Sequence, residues 1–404
     1  MYIPREVEGT IDRMLSQGKV VLLTGARQVG KTTVLKEHLG SDFGYITLED
    51  PALSRLAERD AALFFDTHEL PLIVDEVQRA PGLLSAVKLV VDSSEAKGRI
   101  VLTGSQTYHL MQGVSESLAG RVRIIEMAGL TLRELTGHAG DPRPFVPAPI
   151  RSVPPDALDT DEVWHRIHRG SMPELADESI DWDAFYADYE RTYLERDVRD
   201  LVRITDESRF FDFMVAIAAR SGCLFNAADI AGVVGIDPKT ARSWLSVLEA
   251  SGTVRLLRPF WPNVGKRLTK MPKLFFMDTG LVCHLTRWTG PEELRRGAAA
   301  GRLFETFVVS EVLKSWLNAG ANVRDVWFFR DARKREIDLV IQRGHTLHPV
   351  EVKTASVIRD CDFSSFACLD AIEGCARGFG HVVCQTQSPV MLDENVQAVG
   401  VWAL

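Results

Sequence analysis

Eight consecutive residues, Gly25, Ala26, Arg27, Gln28, Val29, Gly30, Lys31 and Thr32, fit the pattern G-x-x-x-x-G-K-[ST] at every fixed position. The chemistry of that spacing is phosphate binding. The two glycines let the main chain curl so that its N–H groups face phosphate oxygens. A helix starting at the end of the loop adds its positive dipole end. Lys31 is placed to reach the β- and γ-phosphates of a nucleoside triphosphate. Thr32 offers a hydroxyl to Mg²⁺, and Thr33 completes the contact set.

A second element with matching chemistry is Leu72-Ile73-Val74-Asp75-Glu76. An apolar strand ends there in two carboxylates, at the edge where a parallel sheet exposes its ligand crevice. Asp75 would hold Mg²⁺ through water, and Glu76 would polarise the attacking water as general base. Past the next strand, in Ile100–Gln106 (IVLTGSQ), Ser105 is the first choice to orient that water and Gln106 the second. Arg121, in SLAGR, has two competing uses. It neutralises charge on the γ-phosphate, within the chain or across a homo-oligomer interface, or it makes a surface salt bridge.

A third constellation lies near the C-terminus. Gly301–Trp316 reads as an amphipathic helix carrying Glu305, Glu336–Gln342 as a strand with Asp338, and Thr346–Thr354 as the returning strand. Strand alternation puts Glu351 and Lys353 on one face. Asp338 and Glu351 are candidate ligands for one or two Mg²⁺, with Lys353 beside the attacking water, which is phosphodiester hydrolysis chemistry. A charged hairpin face, or a fold that no longer cuts, uses the same residues without metal.

Between these constellations lies a helix–turn–helix pattern. Asn226 caps Ala227–Val234, Gly235–Asp237 makes the turn, and Asp237 with Pro238 starts a second helix reaching about Ala250. Ala241, Trp244, Leu245 and Leu248 share its core face, which leaves Lys239, Thr240, Arg242 and Ser243 outside. Residues 221–270 carry seven basic and three acidic side chains, against a net charge of −8 for the chain. Lys239 and Arg242 are therefore candidates for contact with double-stranded DNA. A packing or lid role is the alternative.

The elements that must position these residues are legible too. Segments at 19–24, 44–48, 70–74, 99–103 and 122–127 read as strands spaced by helical stretches, which is a parallel sheet with helices on both faces. Gly and Pro cluster over Gly137–Pro155, a linker or long loop. Residues 160–220 read as helical, with Trp182–Ile204 as one long segment, and the chain after about Pro262 is mixed α/β. With 404 residues, 46% hydrophobic and 25% charged, disordered, collagenous and disulfide-scaffold classes are excluded. Six scattered cysteines without a CxxC pair argue against zinc and for reduced, mostly buried thiols. No apolar run is long enough for a membrane span, and a cytoplasmic location is expected.

The phosphate loop, the DE strand end, LTGSQ and the SLAGR arginine together resemble the AAA-type P-loop ATPases. More narrowly, the chain is similar to a prokaryotic ATPase family with a C-terminal domain of unknown function. Tyr45–Pro51 (YITLEDP), Arg169–Leu175 (RGSMPEL), Tyr193–Val198 (YLERDV) and Phe275–Leu281 (FFMDTGL) carry that likeness in order. Asp338, Glu351 and Lys353 resemble the D…ExK core of PD-(D/E)xK nucleases, with Glu305 as the helix acid. Ile337 replaces the proline of that pattern. The resemblance implies an α/β chain of four parts. These are an AAA-type P-loop NTPase domain over 1–136, a linker and helical region over 137–205, a winged helix over 206–262 and a restriction-nuclease-like domain over 263–404. The expected activity is Mg²⁺-dependent ATP binding and hydrolysis, coupled to a DNA-binding or DNA-cleaving module. The alternative is an ATP-controlled interaction switch on an inactive nuclease fold.

Overall fold

The computed structural model describes residues 2–104, 113–114, 116–193, 207–262 and 270–404. Near the N-terminus, β1 (Val20–Gly25), β2 (Gly44–Thr47), β3 (Leu72–Asp75), β4 (Ile100–Thr103) and β5 (Val122–Met127) form one sheet. Its order is β2-β3-β4-β1-β5, and every pairing is parallel. The apolar runs explain this, because a parallel sheet is covered on both faces and needs no polar alternation. Val20, Leu22, Val74 and Leu102 enter one core, while Val21, Leu23, Ile73 and Val101 enter the core behind the sheet. Placing β4 between β1 and β3 sets the phosphate loop and the DE strand end on either side of one crevice.

In the middle region, Ala227–Val234 and Pro238–Ala250 are helices, capped by the side chains of Asn226 and Asp237. After them β6 (Val254–Leu257) pairs antiparallel with β7 (Lys273–Phe276). This pairing spans residue 262, where the sequence reading placed a boundary. Of the long helix expected over Trp182–Ile204, Trp182–Tyr193 is helical and the remainder lies outside the described residues.

The C-terminal sheet is mixed. It contains β8 (Val326–Arg330), β9 (Glu336–Arg343), β10 (Thr346–Val352), β11 (Ala376–Arg377), β12 (Gly380–Val383), β13 (Val390–Asp393) and β14 (Val396–Val399). The order is β13-β14-β12-β10-β9-β8, with β11 beside β10. The helix Ala300–Asn318 was expected to be amphipathic, and it is instead buried on nearly every side. It touches β5, β7 and β10 at once, so beyond its exposed first turn little of it is left for solvent. Its polar residues bind inward. Glu311 accepts the Leu132 amide at 2.7 Å, and Lys314 donates to the Leu130 carbonyl at 2.9 Å and pairs with Glu311 at 2.9 Å. This ties the C-terminal region to the chain leaving β5.

The Gly- and Pro-rich stretch after residue 136 is irregular yet bound down. Gln397 exchanges two hydrogen bonds with the main chain of Ile150, and the Trp316 indole donates to the Phe145 carbonyl at 3.0 Å. Among the described residues, no helix is long and apolar enough to cross a membrane. All six cysteines are free thiols.

Candidate functional site

The phosphate loop leaves β1 at Gly25 and enters the helix Lys31–Leu39 through Gly30. Both glycines have positive φ, +143° and +92°. A Cβ on Gly25 would stand 2.0 Å from the Met127 carbonyl oxygen, so no other residue fits there. Gln28 also takes a left-handed conformation, at φ 59°. Val29 points into the core behind the sheet, and its carbonyl accepts from Arg5 at 2.8 Å. Arg5 also donates to Ala128 at 2.8 Å and to Gly129 at 3.2 Å, and pairs with Glu134 at 3.0 Å. This buried guanidinium braces the back of the loop. Sequence reasoning missed it, because a lone arginine near a terminus carries no spacing signal.

Lys31 folds over the loop, donating to the Gly25 carbonyl at 3.0 Å and the Ala26 carbonyl at 2.7 Å. Its ammonium is thus held at the mouth of the loop. Thr32 donates its hydroxyl to Asp75 at 2.8 Å across the crevice, and the Tyr45 hydroxyl donates to the same carboxylate oxygen at 2.7 Å. A hydroxyl beside a carboxylate is a hard oxygen donor set, and it fits Mg²⁺, which keeps several waters of its own. Tyr45 orients Asp75, and burial together with that carboxylate raises its phenol above the ordinary value. Lys36 lies 3.9 Å from the Tyr45 ring centre.

Glu76 sits in the left-handed region at φ 57°, a strained conformation for a residue with a Cβ. Gln78 donates its side-chain amide to Glu76. Burial, then the negative charge of Asp75, raises the Glu76 carboxyl above the usual carboxylate range. A raised carboxyl beside a phosphate cleft has the proton affinity that a general base needs.

The cleft, about 410 Å³, is lined by Arg27, Gln28 and Gly30–Thr33 of the loop and helix start, by Glu49 and Glu76, and by Pro173, Glu174, Tyr189 and Thr192 from the helical region. Asp278 holds the segment ahead of Pro173 in place. Its buried carboxylate accepts from the Ser171 amide at 2.7 Å, the Ser171 hydroxyl at 2.8 Å, the Tyr186 hydroxyl at 2.6 Å and the Leu281 amide at 2.7 Å. The strings RGSMPEL and FFMDTGL, far apart in sequence, therefore meet in one clasp at the cleft.

Other expected residues fall elsewhere. Ser105 and Gln106 lie outside the described residues, as does the greater part of the YLERDV string. Arg121 precedes β5, at the end of the sheet opposite the loop, and binds Asp92 at 2.7 and 2.8 Å. It cannot serve the γ-phosphate of its own chain, because the whole length of β5 separates it from the loop. Lys239 and Arg242 are exposed on the second helix of the helix–turn–helix.

At the C-terminus the structure brings Glu305, Asp338, Glu351 and Lys353 together, and adds two residues that the sequence reading missed. Lys273, from β7, lies 2.8 Å from Glu305, 2.6 Å from Glu336 and 3.6 Å from Asp338. Burial opposes the Lys273 charge, but these carboxylates outweigh it and raise its proton affinity. Lys353 pairs with Glu351 at 2.6 Å, on the shared face that strand alternation requires. Asp338 accepts the Val352 amide at 2.9 Å. Burial, then the Asp338 charge, pushes up the carboxyls of both Glu305 and Glu351. Mg²⁺ needs oxygens at about 2.0–2.1 Å around a free centre, and the Lys273 ammonium fills the position between three of these carboxylates. So arranged, the residues do not fit the metal expected from the nuclease pattern. Nothing in the local string around Lys273 marks it, since only the fold carries it there.

Residues 17–136 match the model of an AAA domain. Residues 160–292 and 300–404 match two domains of unknown function, DUF8612 and DUF4143. The uncharacterized proteins Rv2008c of Mycobacterium tuberculosis and Mb2031c of Mycobacterium bovis are each 30% identical to this chain over 356 residues, 87% of it and 74% of their own length. Among solved structures, a Walker-type ATPase of Pyrococcus abyssi is 14% identical with a TM-score of 0.43, covering 70% of this chain and 96% of its own.

Proposed function

Starting from a chain that belongs to the family of these two mycobacterial proteins and carries an AAA domain, we propose that it binds ATP with Mg²⁺ and hydrolyses it. The observation carrying this reading is the meeting of Lys31, Thr32 and Glu76 at one cleft, with Asp75 bound to Thr32 beside it, on segments that follow or end two strands separated by a third. On triphosphate binding, Lys31 turns from the loop carbonyls to the phosphate oxygens, while the loop N–H groups and the helix N-terminus hold the anion. Thr32 and Asp75 would hold Mg²⁺, which supplies charge neutralisation between phosphates. Glu76 takes the proton of the attacking water. Ser105 orients that water, and Arg121 acts only from a second copy of the chain.

Lys31→Ala tests the reading. Binding of a fluorescent ATP analogue should weaken at least tenfold and phosphate release should cease. A Lys31→Ala protein that still binds and hydrolyses ATP would refute it.

The second half of the proposal concerns the output. We read the chain as an ATP-controlled switch, with the exposed Lys239 and Arg242 as candidate contacts for double-stranded DNA. The Lys273 ammonium among the C-terminal carboxylates favours an inactive nuclease fold over an active endonuclease. In a plasmid-nicking assay with ATP and Mg²⁺ or Mn²⁺, this reading expects no cleavage. Cleavage that Asp338→Ala abolishes would replace it with the endonuclease reading.

A further inference from the structure

A cation already sits in the C-terminal carboxylate cluster, and it belongs to the chain. Lys273 is on β7, which pairs with β6 of the wing and not with the C-terminal sheet. It reaches across to Glu305 on the helix Ala300–Asn318 and to Glu336 and Asp338 on β9, three carboxylates from two elements. Its side chain is 4% exposed, so the ion pairs are shielded from solvent. Shielding makes both halves of such a contact costly to separate. Glu351, beside them, keeps one buried carboxylate oxygen without a hydrogen-bond partner. Its other oxygen is paired with the Lys353 ammonium at 2.6 Å, so the cluster holds two ammonium groups of the chain itself.

We infer that Lys273 is the resident cation of this cluster, clamping the wing hairpin to the nuclease-like sheet and keeping divalent metal out. The carboxylates of a nuclease-type pattern are then used as an interdomain lock. The clamp and the cleft also share one short stretch of chain. Lys273 begins β7, and Asp278, which holds the segment over the phosphate cleft, follows two residues after its end.

The inference specifies the state of the C-terminal cluster and does not depend on ATP hydrolysis. Its test is therefore run on the full chain without nucleotide, and the two readings fail separately. Mn²⁺ binding is counted by electron paramagnetic resonance. In the wild type, Asp338→Asn should leave the number of bound Mn²⁺ unchanged. Lys273→Met should gain one equivalent, and Lys273→Met with Asp338→Asn should lose it again. The gained ion should raise the melting temperature of Lys273→Met and leave that of the wild type unchanged. Because Lys273→Met leaves several carboxylates facing one another, the same count is made on Lys273→Met with Glu336→Gln, which relieves part of that repulsion. A wild type that loses an equivalent on Asp338→Asn overturns the inference, and so does the absence of any gain in a folded Lys273 variant.

Discussion

Asp278→Ala removes the acceptor from four buried donors: the Ser171 amide, the Ser171 hydroxyl, the Leu281 amide and the Tyr186 hydroxyl, which keeps only a longer bond to the Arg169 carbonyl at 3.3 Å. An orphaned buried donor costs about 1–3 kcal/mol, and hydrogen bonds to a charged acceptor lie at the upper end. The Leu281 bond is also the N-cap of the helix Thr279–Leu285, worth about 1 kcal/mol by itself. Water entering the space left by the carboxylate recovers part of this, so the net loss is about 3–5 kcal/mol. With a urea slope of roughly 2–3 kcal/mol/M, the unfolding midpoint should fall by about 1–2 M. Tyr186→Phe removes the bond to Asp278 and a longer one to the Arg169 carbonyl at 3.3 Å, and should cost only about 1–2 kcal/mol. Urea titrations followed by tryptophan fluorescence separate the two, since Trp182 packs edge-on against Tyr186 at 5.7 Å. The segment freed by Asp278→Ala carries Pro173 and Glu174 at the cleft, so nucleotide affinity should fall with stability. An Asp278→Ala protein within 1 kcal/mol of the wild type would refute the reasoning, for the carboxylate would then not be what satisfies those donors.

Three further outcomes follow from the same geometry. Glu76→Gln should still bind ATP but lower turnover by about 10²–10⁴, as loss of a general base does, measured by phosphate release under saturating nucleotide. In the wild type the base must be deprotonated. Since burial and Asp75 raise its carboxyl, turnover should decline with falling pH at a higher pH than an ordinary carboxylate would give, and Glu76→Gln should abolish that limb. His381 is buried, donates Nε2–H to the Ala148 carbonyl at 2.9 Å, and is pushed down to about 4 by burial. Above about pH 6.5 the imidazole is neutral in both states and contributes no pH dependence. Between 6.5 and 4 only the unfolded chain takes up this proton, so the His381 contribution to stability should fall by about 3 kcal/mol as pH drops through that window, while the raised carboxyls of Glu305 and Glu351 act in the opposite direction. Denaturation across pH 4–7 of the wild type and of His381→Gln reads this contribution as the difference between the two slopes, and equal slopes would refute it.

Much of the nucleotide site was legible because its chemistry is local. The loop needs glycines at fixed positions, a lysine and a hydroxyl at adjacent ones, and a strand before and a helix after, all within 14 residues of chain from β1 into its helix. The DE strand end was legible for the same reason. Arg5 was not, because it has no motif of its own, and although Tyr45 and Asp278 lie in the strings YITLEDP and FFMDTGL, their roles were not legible either, because each acts on a group distant in sequence. Arg121 shows the opposite failure. Its string suggested a phosphate contact, but β5 runs parallel to β1 and leaves Arg121 at the far end of the sheet.

The apolar periodicity of the strands, the turn glycines and the helix caps are short-range physics, and they suffice to set the strands of the parallel sheet, the phosphate loop and the helix–turn–helix. Which charges meet is a long-range matter. Glu305, Asp338, Glu351 and Lys353 form the same cluster whether a metal or an ammonium lies at its centre, so local spacing cannot distinguish a nuclease site from an ion-paired lock. The hairpin of β6 and β7 makes that choice by carrying Lys273 into the cluster, where desolvation makes a paired cation far cheaper to keep than unpaired carboxylates.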